Sequence, residues 1–215
     1  MLPSNNQLSR CDLSSNIYSL AGIDLLKFLL DCEHTDATKL LEEFLSDLYD
    51  QLEQILTSES AHDTLLSPKN VSNTLSQHYF LFIGVLSSRT PGLKALESTG
   101  VLDILNRVAL QSKHDCYVKL IVSCLDYSSS PATRLILTNI LTSEQVSSRH
   151  YSTQFLSILL RTRLETSPSY LNWVVESLVN QLQDEKKLVA LCALNSLDEA
   201  CDSEVSVYGA CLPPL

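Results

Sequence analysis

From Tyr117 to Leu125 the chain reads YVKLIVSCL, an apolar run interrupted by one lysine and closed by Asp126 and the break Ser128-Ser129-Ser130-Pro131. Val118, Ile121, Val122 and Leu125 recur three and four residues apart and form one face of a helix, which Leu120 and Cys124 broaden. A helix apolar over so much of its circumference needs neighbours on both sides. The flanking sequence supplies them, Val101 to Gln111 before it and Pro131 to Thr142 after it. The run therefore reads as the inner member of a stack of helices, and the fold class it sets is all-α, an armadillo/HEAT-like helical-repeat solenoid (an α-α superhelix).

The rest of the chain follows the same rules. Residues 1–16 read as a flexible polar N-terminal arm and 17–66 as an acidic helical pair whose first member is Leu20 to Leu30. The second starts at Ala37 and carries Leu40, Leu41, Phe44, Leu45, Leu48, Leu52, Ile55 and Leu56 on its apolar side. Asp36 is placed to cap it, because its carboxylate can accept from free first-turn amides. Residues 67–205 form the helical repeats and 206–215 a truncated tail.

Ser67-Pro68, Ser130-Pro131 and Ser167-Pro168 each mark a helix start, since proline at the first helical position lacks only an amide that has no partner there. The first of them predicts one continuous helix from Pro68 to about Ser87, with Val71, Leu75, Tyr79, Phe82 and Leu86 in a stripe. A short piece, Leu93 to Glu97, closes at Gly100 in a left-handed cap. Leu135, Ile136, Ile140 and Leu141 are the apolar positions of the next helix. Thr142 with Gln145 reads as a capping box for the helix that carries Phe155, Leu156, Leu159 and Leu160, and Asp184 caps a last helix from Glu185 to about Cys201.

The spacing repeats. Ser130-Pro131 and Ser167-Pro168 lie 37 residues apart, close to the about 40 residues of HEAT and armadillo units, whose paired helices cannot bury their faces alone. The sharpest unit, LVNQLQDEKKLVALCALNSL from Leu178 to Leu197, resembles a HEAT unit with Asp184 in the turn and Val189, Ala193 and Leu197 on the second helix. Ala190 stands where such units often carry an arginine, which predicts a weakened ladder between turns.

Charge narrows the partners. Residues 31–63 hold ten acids against the single base Lys39, whereas residues 64–183 hold ten bases against seven acids. No cluster of Lys and Arg with interleaved aromatics offers a nucleic-acid groove. Seven cysteines, odd in number and without a Cys-x-x-Cys pair, predict reduced core thiols in the cytosol or nucleus. The most apolar segment, Tyr79 to Leu86, is far short of the roughly 20 residues that cross a bilayer, so no transmembrane segment is expected.

Chemistry finds little purchase. Cys32 and His34 are close but have no second ligand pair, so they read as a helix-end thiol and a surface imidazole. His78 and His150 each stand beside a tyrosine and read as structural. No Gly-x-Ser-x-Gly elbow or phosphate-cradling loop is present, and Cys124 and Cys192 fall on apolar faces, where a thiol behaves as a small hydrophobe. The chain is expected to be no enzyme and to need no cofactor or metal. A partner-facing edge is the live possibility: Asp126-Tyr127 and Asp198-Glu199 both follow the second helix of a repeat, and Lys113, Lys119 and Arg134 add a modest positive edge. For Tyr127 a second reading is equally open, that the ring closes the core over its own turn. Trp173 is expected to pack in the core between repeats.

Longer strings carry a family likeness. YVKLIVSCLDYS (117–128), NVSNTLSQHYFLFIGVLSS (70–88), PGLKALEST (91–99), LVALCALNSLDEAC (188–201), EHTDATKLLEEFLSDL (33–48) and ILTNILTS (136–143) resemble the middle region of the Rictor family, the rapamycin-insensitive companions of the TOR kinase. The resemblance covers roughly residue 33 to the C-terminus, with the serine run at 128–130 as a departure. It implies a non-catalytic scaffold segment of TOR complex 2. Its implied partners are the TOR kinase and a Sin1-type subunit, with AGC-family kinases as substrates the complex would orient. The same region of the family overlaps one named for the N-terminal domain of Ras exchange factors, so the alternative is a helical adaptor that binds a small GTPase. A karyopherin-like carrier would need Trp and Asn at repeated groove positions, and the chain has one Trp.

Overall fold

Helix starts and stops follow the punctuation of the chain closely. The computed structural model describes residues 8–32, 34–57, 64–162 and 167–209. Among them every regular element is helical: α1 (Leu8–Asp31), α2 (Thr35–Thr57), α3 (Pro68–Asn73), α4 (His78–Ser87), α5 (Thr90–Ser98), α6 (Val101–Gln111), α7 (Asp115–Cys124), α8 (Pro131–Leu141), α9 (Val146–Arg161), α10 (Pro168–Gln181) and α11 (Lys187–Gly209). The fold class is all-α, of the armadillo/HEAT-like helical-repeat kind. The Ser-Pro starts work as expected for α3 and α8, where the Ser67 and Ser130 hydroxyls accept from Asn70 N–H and Ala132 N–H; at α10 the proline is in place without a Ser167 side-chain cap. Gly100, with φ 76°, closes α5 and opens α6 in the left-handed conformation that a side chain would strain.

The chain divides into two compact units at Asp126/Tyr127. In the first, α2 buries Ala37, Leu41, Leu45, Leu48 and Leu52 every three or four residues and packs on α1, α5 and α6. Its acids lie on the outer side. Helix α6 buries Val101, Leu102, Ile104, Leu105, Val108 and Ala109, and α7 buries Tyr117, Val118, Ile121 and Val122 against α4 and α6. Each such aliphatic contributes about 1.5–3 kcal/mol. The Tyr117 hydroxyl donates to the Leu66 carbonyl at 2.6 Å, tying α7 to the turn ahead of α3.

In the second unit α9 packs on α8, α10 and α11, so each helix pair is buried against the next. The core there comprises Ile136, Leu137, Ile140, Leu141, Leu156, Leu160, Tyr170, Val174, Leu178, Val189 and Ala193.

Four expectations need correction. Residues 8–16 belong to α1 rather than to a loose arm, and 206–209 to α11 rather than to a tail; residues 1–7, 58–63 and 210–215 lie outside the described residues. The division at 66/67 runs through one compact unit, because α2 packs on α5 and α6. The single helix from Pro68 is broken at Thr74, which is extended at φ −130°, and followed by a 3₁₀ turn, Leu75–Gln77. Ser72, Asn73 and Thr74 each donate a side-chain hydrogen bond to a carbonyl four residues back, the local competition that unsettles helices rich in such residues. The break moves the buried stripe of α4 to Phe80, Ile83 and Leu86 and leaves Leu75 exposed. Finally, Thr142 and Gln145 form no capping box: Thr142 ends α8, its hydroxyl donating to the Thr138 and Asn139 carbonyls, and Gln145 makes no side-chain cap.

Candidate interaction surface

The turn that opens the second unit is built around Tyr127, only 2% exposed. Its ring lies 6.1 Å from Phe155, edge to face, and stacks 6.1 Å from Trp173, which in turn neighbours Tyr170 at 6.0 Å. Arg134 from α8 reaches over this group. Its Nε donates to the Tyr127 carbonyl at 2.7 Å and Nη2 to the Ser128 carbonyl at 2.8 Å, and the guanidinium stands 5.5 Å and 5.4 Å from the Tyr170 and Trp173 ring centres. Of the two readings of Tyr127, core closure is the one the structure holds. Arg134, half-buried, is spent on the same turn instead of on a positive edge. Trp173 is half-buried at this knot.

The other predicted edge residues separate. Lys113 and Lys119 are exposed in the first unit, at the link into α7 and on α7 itself. Asp126 is half-buried and its N–H donates to Ser87 Oγ at 3.0 Å, which fastens the end of α7 to α4. Asp198 and Glu199 are exposed on α11, and Glu199 pairs with Arg161 of α9. The exposed set that remains is thus Lys113, Lys119, Asp198 and Glu199.

A second knot escaped the sequence. Arg149 on α9 is buried and makes a two-point pair with Asp184: Nε to Oδ2 at 2.6 Å and Nη2 to Oδ1 at 3.1 Å. Nη1 donates to the Ser143 and Glu144 carbonyls at 2.8 and 3.2 Å, and Asp184 Oδ1 also accepts from Lys186 N–H. The guanidinium holds the Asp184 carboxyl below its ordinary pKa, and the carboxylate raises that of Arg149. With Ala190 at the position where such units often carry an arginine, the arginine that bonds Asp184 comes from the preceding helix pair. The sequence signal was weak: Asp184 stands in its turn beside Lys186 and Lys187, and Arg149, one of two arginines on α9, lies 35 residues earlier, about one repeat away.

Three of the described thiols are poor nucleophiles. Burial pushes the Cys124 thiol up to about 12 and raises Cys116 and Cys192, so all three stay protonated near neutrality. Among the described residues, no three of His, Cys, Asp and Glu are placed to hold a metal ion, and no helix is long and apolar enough to cross a membrane.

Comparison with known proteins decides the family. Residues 57–160 match the family model for the middle domain of the rapamycin-insensitive companion of mTOR. The mouse protein named rapamycin-insensitive companion of mTOR is 37% identical over 205 residues, 91% of this chain. The chain belongs to the Rictor family. Protein pianissimo A of Dictyostelium discoideum is 40% identical over 138 residues, 64% of the chain and 12% of its own length. A fission yeast protein, named target of rapamycin complex 2 subunit ste20, is 25% identical over 203 residues, 93% of the chain. The chain spans 12% of the mouse relative's length and 15% of the yeast one's, so it corresponds to one segment of these longer proteins.

Proposed function

We propose that this chain is a non-catalytic scaffold segment of TOR complex 2, holding the TOR kinase together with a Sin1-type subunit and supporting signalling to AGC-family kinases. The observation that carries the reading is a match over nearly the whole chain to Rictor relatives, one of them named as a TOR complex 2 subunit. The mechanism is geometric. Packed helix pairs fix exposed side chains at set separations. The setting proposed is the cytoplasm, with membranes reached only through the assembled complex.

The test uses the full-length protein in cells. Lys113→Glu with Lys119→Glu, and separately Asp198→Lys, alter exposed side chains and spare the core. If one of these faces meets a subunit, that variant recovers less TOR kinase or Sin1-type subunit on purification, with weaker AGC-kinase phosphorylation, while abundance is unchanged. Full recovery by both variants and by a protein lacking this whole segment rejects the role. Capture of a small GTPase in one nucleotide state would favour the adaptor instead.

A further inference from the structure

On the first unit, α2 and the turn ahead of α3 enclose a recess of about 360 Å³. Phe44, Leu48, Leu65, Leu66 and Tyr79 supply apolar walls, and Asp47, Asp50, Gln51 and Gln54 supply polar groups along α2. The walls are braced. The Phe44 and Tyr79 rings stack at 6.1 Å, and each meets Phe82 edge to face at 6.4 and 6.0 Å. Phe82, on α4, packs against α1 so close to Gly22 that a Cβ there would come within 2.6 Å of the ring. The opposite wall is fixed by Tyr117 Oη on the Leu66 carbonyl, 2.6 Å, and by Asn70 Nδ2 on the Thr64 carbonyl, 2.8 Å. Such a recess is formed before anything enters it, so a guest need not order it first.

Its charge selects the guest. Asp47 and Asp50 are exposed, and among the described residues no base pairs with either. Lys39 is the single base among residues 31–63, set against ten acids. We propose that this recess receives an arginine, flanked by an aliphatic residue, from a basic segment of a partner protein. The apolar stem lies along Leu48, Leu65 and the two rings, and the guanidinium reaches Asp47, Asp50 and the Gln51 and Gln54 amides. Arginine fits better than lysine because its planar fork satisfies two acceptors at once and stacks on aromatic faces. A polyanion such as RNA is repelled by the same carboxylates. The inference concerns a site on this chain and does not require the assembly role proposed above.

The experiment titrates the whole chain with a fluorescein-labelled peptide, Gly-Ser-Leu-Arg-Leu-Ser-Gly, at low salt and reads anisotropy, with backbone amide shifts to locate the contact. The expected result is saturable binding that shifts amides around Asp47–Gln54 and Leu65–Leu66. It weakens about tenfold in the Asp47→Asn/Asp50→Asn double variant and to a similar degree when citrulline replaces arginine. Both aspartates are exposed, so the double variant should melt with the parent protein, and its melt is recorded. Absence of saturable binding overturns the proposal. So does equal loss in a Glu42→Gln/Glu43→Gln control on the same helix, which would make the attraction a general property of an acidic face.

Discussion

The two-point pair between Arg149 and Asp184 ties a turn of the second unit to α9. Both side chains are under a tenth exposed, so removing one strands the other's charge away from water. Arg149→Met should therefore cost about 3 kcal/mol, a size typical of a broken buried pair, whereas Arg134→Met, which loses two carbonyl contacts and its place over the rings, should cost about 1–2 kcal/mol. Chemical denaturation of the two variants checks the order. The pair also sets a pH dependence. Because Asp184 has a lower pKa folded than unfolded, its contribution is full above the unfolded carboxyl value of 3.8 and is lost as pH falls through the folded one. Acid melts should show a smaller decline below that value in Asp184→Asn than in the parent protein; parallel declines would remove the pair from the account. Arg149 also shows where reading the chain ran out. Leucine stripes announce themselves by period, but a buried ion pair between helix pairs has no period, and the lysines beside Asp184 offered nearer partners than Arg149. Tyr127 was undecided for a related reason: a tyrosine after a helix serves an interface or a core equally well until Phe155 and Trp173 are seen against it.

At the scale of elements, the serine-proline starts were legible, whereas α5 begins at Thr90, with Pro91 in its first turn, and not at Leu93. Proline fixed the starts of α3, α8 and α10, and Gly100 marked the α5–α6 joint. The break at Thr74 was not legible, because it arises from three successive side chains competing for helix carbonyls, each of them ordinary alone. The start of α1 was hidden by a polar first half that periodicity could not distinguish from a loose arm. Close helix approach is the other element-level quantity. On α4, Gly84 lies so near α7 that a Cβ would stand 2.6 Å from the Cys124 carbonyl oxygen, which is backbone and cannot rotate away. Gly84→Ala should force the two helices apart and destabilise the unit by about 1–3 kcal/mol. An unchanged melting temperature would mean that α4 and α7 are not held this closely in solution. Ile121→Asp, at a fully buried position of α7, should do more and abolish the cooperative melt of the first unit.

For the whole molecule, the acidic stretch that looked like a helical pair of its own is not a separate body, since α2 packs on α5 and α6 within a unit that runs to Asp126. Composition misled here because the acids occupy the outer side of α2 while its leucine row is as buried as any in the chain. What defines a unit is a closed set of packed faces, and the two sets divide where Asp126 is fastened back to Ser87 and Tyr127 turns into the aromatic knot with Phe155 and Trp173. If that division is physical, residues 1–126 and 127–215 expressed apart should each keep a helical circular dichroism spectrum and a cooperative thermal transition. Repeat proteins allow this because stability is close to a sum over repeats and their nearest neighbours. The Arg149→Met loss should then appear in the 127–215 piece at nearly its full size, and Gly84→Ala in the 1–126 piece alone. A 127–215 piece that is unfolded by itself would show that its core is completed by the preceding helices, and the two cores would then have to be counted as one.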